Sequence, residues 1–304
     1  MLAMFFGPHG LRAGWAVLLF AALWWVFNFA AEFLTAPLLH QDWEAPLRAP
    51  TVTLIEVWQL FGVVAATGLM AFFERRPPLS YGFQGRARAV RFVSGLAWGF
   101  AAISALVLAL RGLGFLTLNR GGPGSPWSWK EAAAWGVVFL LTGFAEEAMF
   151  RGYAQFTLAR GMGFWWGALL CSAAFGLMHR ANGGESTVGV LAAAAIGLIF
   201  CLSLWYTGSL WWAVGFHAAW DWGESYFYGV ADSGMVTQGH LLRAHAAGPI
   251  AWSGGSVGPE GSVLIWPVLA VIAVAMAVWW GKRGDTPLAE KARQAARIPL
   301  HPIP

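Results

Sequence analysis

The sequence is short of charge. Of its 304 residues only 11% are Asp, Glu, Lys or Arg, while 58% are hydrophobic, against roughly 25% charged residues in soluble domains. A water-soluble fold carrying 20 Trp and 22 Phe would expose far more apolar surface than a monomer tolerates, so that class is excluded. The same apolar content excludes disorder. Cysteine is nearly absent: Cys171 and Cys201 both fall inside apolar runs and read as small buried hydrophobes, not as a disulfide framework. Lysine is scarce too, with Lys130, Lys282 and Lys291 set against a much larger number of arginines. The net charge of +4 is confined to a few places, which gives it topological meaning and leaves no nucleic-acid partner expected. No internal repeat is visible. No A-x-A-like cleavage site follows the first apolar run, so that run is expected to stay as the first span.

What the chain has in plenty is apolar runs of about 20 residues, enough to cross ~30 Å of hydrocarbon. They lie near 14–34, 51–73, 92–118, 132–156, 164–181, 187–206, 209–229 and 262–280. The expected fold is therefore an all-α polytopic bundle of about eight transmembrane spans. Turn chemistry separates the runs: Arg75-Arg76-Pro77-Pro78, Gly121-Gly122-Pro123-Gly124, Asn182-Gly183-Gly184 and a Gly-rich stretch over 248–261. The short Tyr206-Thr207-Gly208-Ser209 junction makes spans six and seven a helical hairpin. Arginine collects at Arg75, Arg76, Arg86, Arg88 and Arg91, at Arg160, and with Lys282 at Arg283. Those segments are expected to be cytoplasmic. An even span number then puts both termini in the cytoplasm and the 230–261 loop, with His240 and His245, outside. The tail from Asp285, with Lys291, Arg293 and Arg297, is expected to rest on anionic headgroups.

A charge near the bilayer centre costs about 2.5–3.5 kcal/mol on insertion scales, so each one needs a partner or a task. The candidates are Glu146, Glu147 and Arg151 in span four, His179 in span five, and His217, Asp221 and Glu224 in span seven, with Glu56 near an end of span two. Glu147 and Arg151 stand four residues apart on one helix face, acid before base, and read as a structural pair. Glu146 is turned about 100° away and has no base three or four positions off, which makes it the better reactive candidate. Measured from the turn between Arg160 and Phe164, Glu146 and His179 both lie roughly 21 Å deep at the helical rise of 1.5 Å per residue. They can therefore meet. His217 and Asp221 repeat the four-residue spacing, either as an oriented imidazole–carboxylate pair or as a helix-packing pair. Glu224, one turn further on, is either a supporting group or an interfacial one.

Three motifs emerge in order: Glu146-Glu147-Ala-Met-Phe-Arg151-Gly152, Phe175-Gly-Leu-Met-His179, and Gly215-Phe-His217-Ala-Ala-Trp-Asp221. Together, on separate apolar helices, they resemble the CPBP intramembrane protease family, which includes the CAAX proteases, the bacteriocin-processing enzymes and the type II CAAX prenyl endopeptidases. The resemblance covers roughly 140–225. It implies peptide-bond hydrolysis inside the membrane, with Glu146 as general base on a water that His179 helps to position, and with His217 and its i+4 partner stabilising the oxyanion. Glu147 and Arg151 complete the implied catalytic set. General-base and oxyanion chemistry both suit groups held in a dry site. The chain divides accordingly into N-terminal helices over 1–126, a catalytic core over 127–230, an outward loop over 231–261, and a last helix with a basic tail over 262–304.

One departure matters. The family carries Asn where this chain has Asp221, and an ionised carboxylate accepts hydrogen bonds but cannot donate them. Asp221 is expected to accept from His217 and to leave the imidazolium as the oxyanion donor. Two histidines with carboxylates also make a zinc-compatible set, although water activated by Glu and His needs no metal. H-E-x-x-H, an aspartyl pair and a Ser–His dyad are all missing, which disfavours other membrane proteases. Two alternatives remain: a weakly active relative serving as a membrane regulator or immunity factor, and a proton-coupled transporter, which predicts inverted repeats. Arg-heavy, Lys-poor, Ala-rich usage suggests a GC-rich genome. The expected location is thus a bacterial cytoplasmic membrane, and the expected partner a peptide or membrane-protein substrate within the bilayer.

Overall fold

A computed structural model describes residues 2–7, 10–36, 46–85, 87–120 and 128–281. Arg86, the Gly121–Gly124 turn, Lys282, Arg283 and the basic tail lie outside these residues. The fold is mostly helical and has no closed sheet. The apolar runs become α1 (Ala13–Thr35), α2 (Ala49–Phe73), α3 (Arg88–Gly112), α4 (Trp129–Glu147) continued by α5 (Gln155–Met162), α6 (Phe164–His179), α7 (Thr187–Thr207), α8 (Trp211–Asp221) and α9 (Ile265–Gly281). Local chemistry sets several ends. The Ser128 hydroxyl caps α4 by accepting from the Glu131 amide at 3.3 Å, and the Ser186 hydroxyl caps α7 by accepting from the Gly189 amide at 3.0 Å. Gly208, at φ 64°, ends α7 in the left-handed region and starts the tight turn into α8.

Five helical segments are long and apolar enough to cross a membrane: α1, α2, α3, the continuous Trp129–Met162 stretch and α7. Each of the eight expected runs contributes a helix, yet three of these helices fall short of that standard. With 16 residues, α6 extends only about 24 Å, less than the hydrocarbon thickness. The 17 residues of α9 reach little further, and α8 gives way after Asp221 to a π-helical turn over Trp222–Tyr228. A second π-turn, Ala148–Ala154, lies between α4 and α5, with Gly152 at φ −81° and ψ −113° inside it. Span four is therefore kinked where an unbroken helix was expected, and π-turns of this kind favour functional sites.

The run expected to be helical over 92–118 divides. Helix α3 stops at Gly112, Gly114 takes a φ of 81°, and Leu116–Arg120 forms β1. Its antiparallel partner is β2 (Leu242–Ala246), Leu116 facing Ala246 and Arg120 facing Leu242. The 231–261 segment, expected as an outward loop, thus contains a strand and turns that fold back onto the bundle. Glycine cannot sustain the helix there, and Leu116-Thr117-Leu118 finds a strand to pair with.

Close packing of α3, α4 and α8 positions the polar residues. On α3, Gly95 and Gly99 form a G-x-x-x-G pair facing α8. A Cβ on Gly95 would run into the Trp212 carbonyl, one on Gly99 into the Phe216 carbonyl, and one on Gly215 into the Phe92 carbonyl. Backbones approach closely because all three lack side chains. Gly143 does the same for α4, where a Cβ would stand 3.1 Å from the Val214 carbonyl and 3.5 Å from the His217 Cβ. At the opposite end of the bundle, Glu74 just past α2 accepts from the Tyr153 hydroxyl at 2.6 Å and the Tyr81 hydroxyl at 2.9 Å, and pairs with Arg160 at 2.8 Å. The end of α2 and the end of α5 therefore meet, which puts the arginines around them at one end of the bundle.

Candidate active site

Residues from α2, α4, α6, α7, α8 and the 231–261 segment enclose a cavity of about 920 Å³. Glu146, His179, His217 and Asp221 all line it. The depth match drawn from the sequence is consistent with this: Glu146 and His179 open onto one space, far from Arg160. Glu147 and Arg151 do not line the cavity; they lie behind it, fully buried. The two adjacent glutamates thus face different surroundings.

Behind the wall, Glu147 Oε1 accepts from Arg151 Nη1 at 3.0 Å and from His217 Nδ1 at 3.2 Å. The Arg151 guanidinium lies over the Phe175 ring at 4.1 Å and near the Phe200 ring at 5.5 Å. Gly197 makes room for it, since a Cβ there would run into Nη2. This is a charge pair supported by aromatic faces, and it holds the Nδ1 side of the His217 ring. The Nε2 side faces the Glu146 carboxylate at 3.7 Å and the Asp221 carboxylate at 3.5 Å. Phe200 stacks on the His217 ring at 5.6 Å and limits its rotation.

His179 is placed differently. Its Nδ1 lies 2.8 Å from the Phe175 carbonyl. A carbonyl only accepts, so Nδ1 carries the hydrogen and Nε2 of the neutral ring keeps the free lone pair. The structure gives His179 no direct bond to Glu146; the two share the cavity, with room for a small molecule between the walls. Glu146 Oε2 is buried and has no hydrogen-bond partner among the described residues. It is an acceptor in need of a donor.

The histidines of the cavity do not fall in a preformed cluster of metal-ligand atoms. Among the described residues, the acids and histidines whose ligand atoms gather within 4.8 Å of one another are Glu224, Asp232 and Glu260, none of them a histidine.

Two cavity residues escaped the sequence reading, and a third, Glu56, lies deeper than the sequence suggested. Glu56 lies two turns inside α2, and its buried Oε2 lacks a partner; the sequence suggested only a span end. Asp232 and Glu260 reach the cavity from turns that looked external. Nothing in their local pattern signals it, because they are held by residues elsewhere in the chain, Asp232 by Ser225 and Glu260 by Trp220 and Ser233.

No curated protein matches the chain. Residues 127–223, which hold all three motifs and every side chain grouped around His217, match the family model of the Rce1-like type II CAAX prenyl endopeptidases, a family of membrane proteases.

Proposed function

We propose that the protein is an intramembrane endopeptidase that hydrolyses a peptide bond with a water held between Glu146 and His179. The observation that carries this reading is a single imidazole, His217, flanked by Glu147 at 3.2 Å, Asp221 at 3.5 Å and Glu146 at 3.7 Å on the wall of one internal cavity. Glu146 has a buried oxygen without a donor, and a water supplies one. Glu146 takes that water's proton as its oxygen attacks the carbonyl carbon, and later passes the proton to the leaving amine. His179, with Nδ1–H held by the Phe175 carbonyl, accepts a hydrogen bond from the same water at Nε2 and orients it. His217, carrying a hydrogen on each nitrogen between facing carboxylates, points Nε2–H at the developing oxyanion. Glu147 and Arg151 position that ring from behind, and Asp221 accepts from it in place of the family's Asn. No step is routed through a metal.

The substrate is a peptide or membrane-protein segment that enters from the bilayer, and the prenylated C-terminal peptides named by the matching family are one class to include in a test. The experiment is cleavage of a peptide library by purified protein, comparing wild type, Glu146→Gln and His179→Ala with and without a chelator. A general-base role predicts a loss of about 10²–10⁴-fold for Glu146→Gln. Equal turnover by wild type and Glu146→Gln removes this mechanism. No cleavage by any of them leaves the regulator or the transporter as the better account, and inhibition by the chelator overturns the metal-free chemistry.

A further inference from the structure

We infer that Glu224, Asp232 and Glu260 form a site for a hard divalent cation of the calcium class, beside the hydrolytic centre and separate from it. One carboxylate oxygen from each lies within 4.8 Å of the others. Proximity of acids alone would mean little; what points to a ligand is the state of Glu224. Its side chain is fully buried, and neither carboxylate oxygen has a hydrogen-bond partner among the described residues. None of the ion pairs among the described residues includes any of the three acids. A buried carboxylate left in this state costs free energy that a bound cation would recover.

The other two acids are oriented as metal ligands usually are, by hydrogen bonds that leave lone pairs over. Asp232 Oδ2 accepts from the Ser225 hydroxyl at 3.0 Å. Glu260 Oε1 accepts from the Trp220 indole at 2.9 Å, and Oε2 from the Ser233 hydroxyl at 2.8 Å. Gly258, at φ 106°, packs its turn against the Ala231 carbonyl, where a Cβ would collide, and so brings the segment before Glu260 against Glu224. An all-oxygen set selects calcium, magnesium or manganese over zinc or copper. Three carboxylates supply about three to six of the oxygens that calcium takes, and water supplies the rest. The cation would join three segments distant in sequence: the π-turn after α8, the turn at Asp232 and the turn at Glu260. Asp232 and Glu260 also line the cavity, so binding would stiffen its outer wall. The proposal does not depend on the hydrolytic reading.

The test uses the full chain in detergent, stripped with chelator and titrated separately with calcium, magnesium, manganese and zinc, and followed by calorimetry and thermal melting. Wild type is expected to bind calcium, or manganese as its substitute, saturably and to melt at a higher temperature when loaded. Glu224→Gln and Asp232→Asn are each expected to weaken binding at least tenfold, and Glu32→Gln, a remote exposed acid, not at all. In chelator, Glu224→Gln is expected to melt no lower than wild type, because it removes one of three like charges; this separates loss of the site from loss of the fold. Absence of saturable binding by wild type overturns the proposal, as does zinc binding alone, or equal affinity in wild type and both variants.

Discussion

Replacing Arg151 with methionine tests the buried pair most directly. Methionine retains much of the packing against Phe175 and Phe200 but removes the charge, leaving the fully buried Glu147 without its cation. Removing one partner of a buried ion pair costs about 3–5 kcal/mol. Glu147 keeps its contact with His217 Nδ1 at 3.2 Å, so the lower end of that range applies. About 3 kcal/mol lowers the melting temperature by about 6–12 °C in a chain of this size. The assay is thermal unfolding of purified protein in detergent, run on Arg151→Met, Glu147→Gln and the double variant. The double variant is expected to recover at least half of the Arg151→Met loss, since it leaves no uncompensated charge. A loss below about 1 kcal/mol for Arg151→Met, or no recovery in the double variant, refutes the account of Glu147 and Arg151 as an anchoring pair.

Asp221→Asn tests the departure from the family pattern: if the carboxylate orients His217, turnover falls by about 10–100-fold, as for other partners that orient an imidazole, and unchanged or improved cleavage shows that it is not required. Gly215→Ala is expected to cost about 1–3 kcal/mol in the same melting assay, because the backbone carbonyl of Phe92 cannot move aside, whereas Gly68→Ala on α2, where nothing lies within 4 Å, is neutral or stabilising. Acid stability should report Glu74. Burial pushes its pKa up, but hydrogen bonds from Arg160 and Tyr153, the Arg160 charge and the Tyr81 hydroxyl together hold it below the usual carboxylate range. The stabilisation is present above the unfolded-state pKa and is lost as pH falls through the lower folded-state value. The melting-temperature gap between wild type and Glu74→Gln is therefore expected to be constant near neutrality and to shrink on acidification; a gap independent of pH contradicts it.

Much of the architecture could be read from the one-dimensional pattern, because lipid demands long apolar helices and charges inside them are too costly to be casual. The apolar helical runs, the pairing of Glu147 with Arg151, and the different facing of Glu146 all follow from spacing along single helices. Spacing could not show that His217 sits between three carboxylates, since Glu146 and Glu147 come from α4 and the imidazole from α8. Their meeting depends on Gly143, Gly95, Gly99 and Gly215 letting three backbones approach. Nor could it show the π-turns at Ala148–Ala154 and Trp222–Tyr228, where the register along one helix gives way to contacts with its neighbours.

Composition and periodicity alone therefore account for the membrane, the helices and the short set of intramembrane charged residues, all consequences of local burial and of 3.6 residues per turn. The three-dimensional packing decided which glutamate faces the cavity, how His179 is tethered, and that Glu56, Asp232 and Glu260 share the same chamber. Those outcomes arise from contacts between residues far apart in the chain, whose free energy appears only once the helices have packed and the 231–261 segment has folded back onto them.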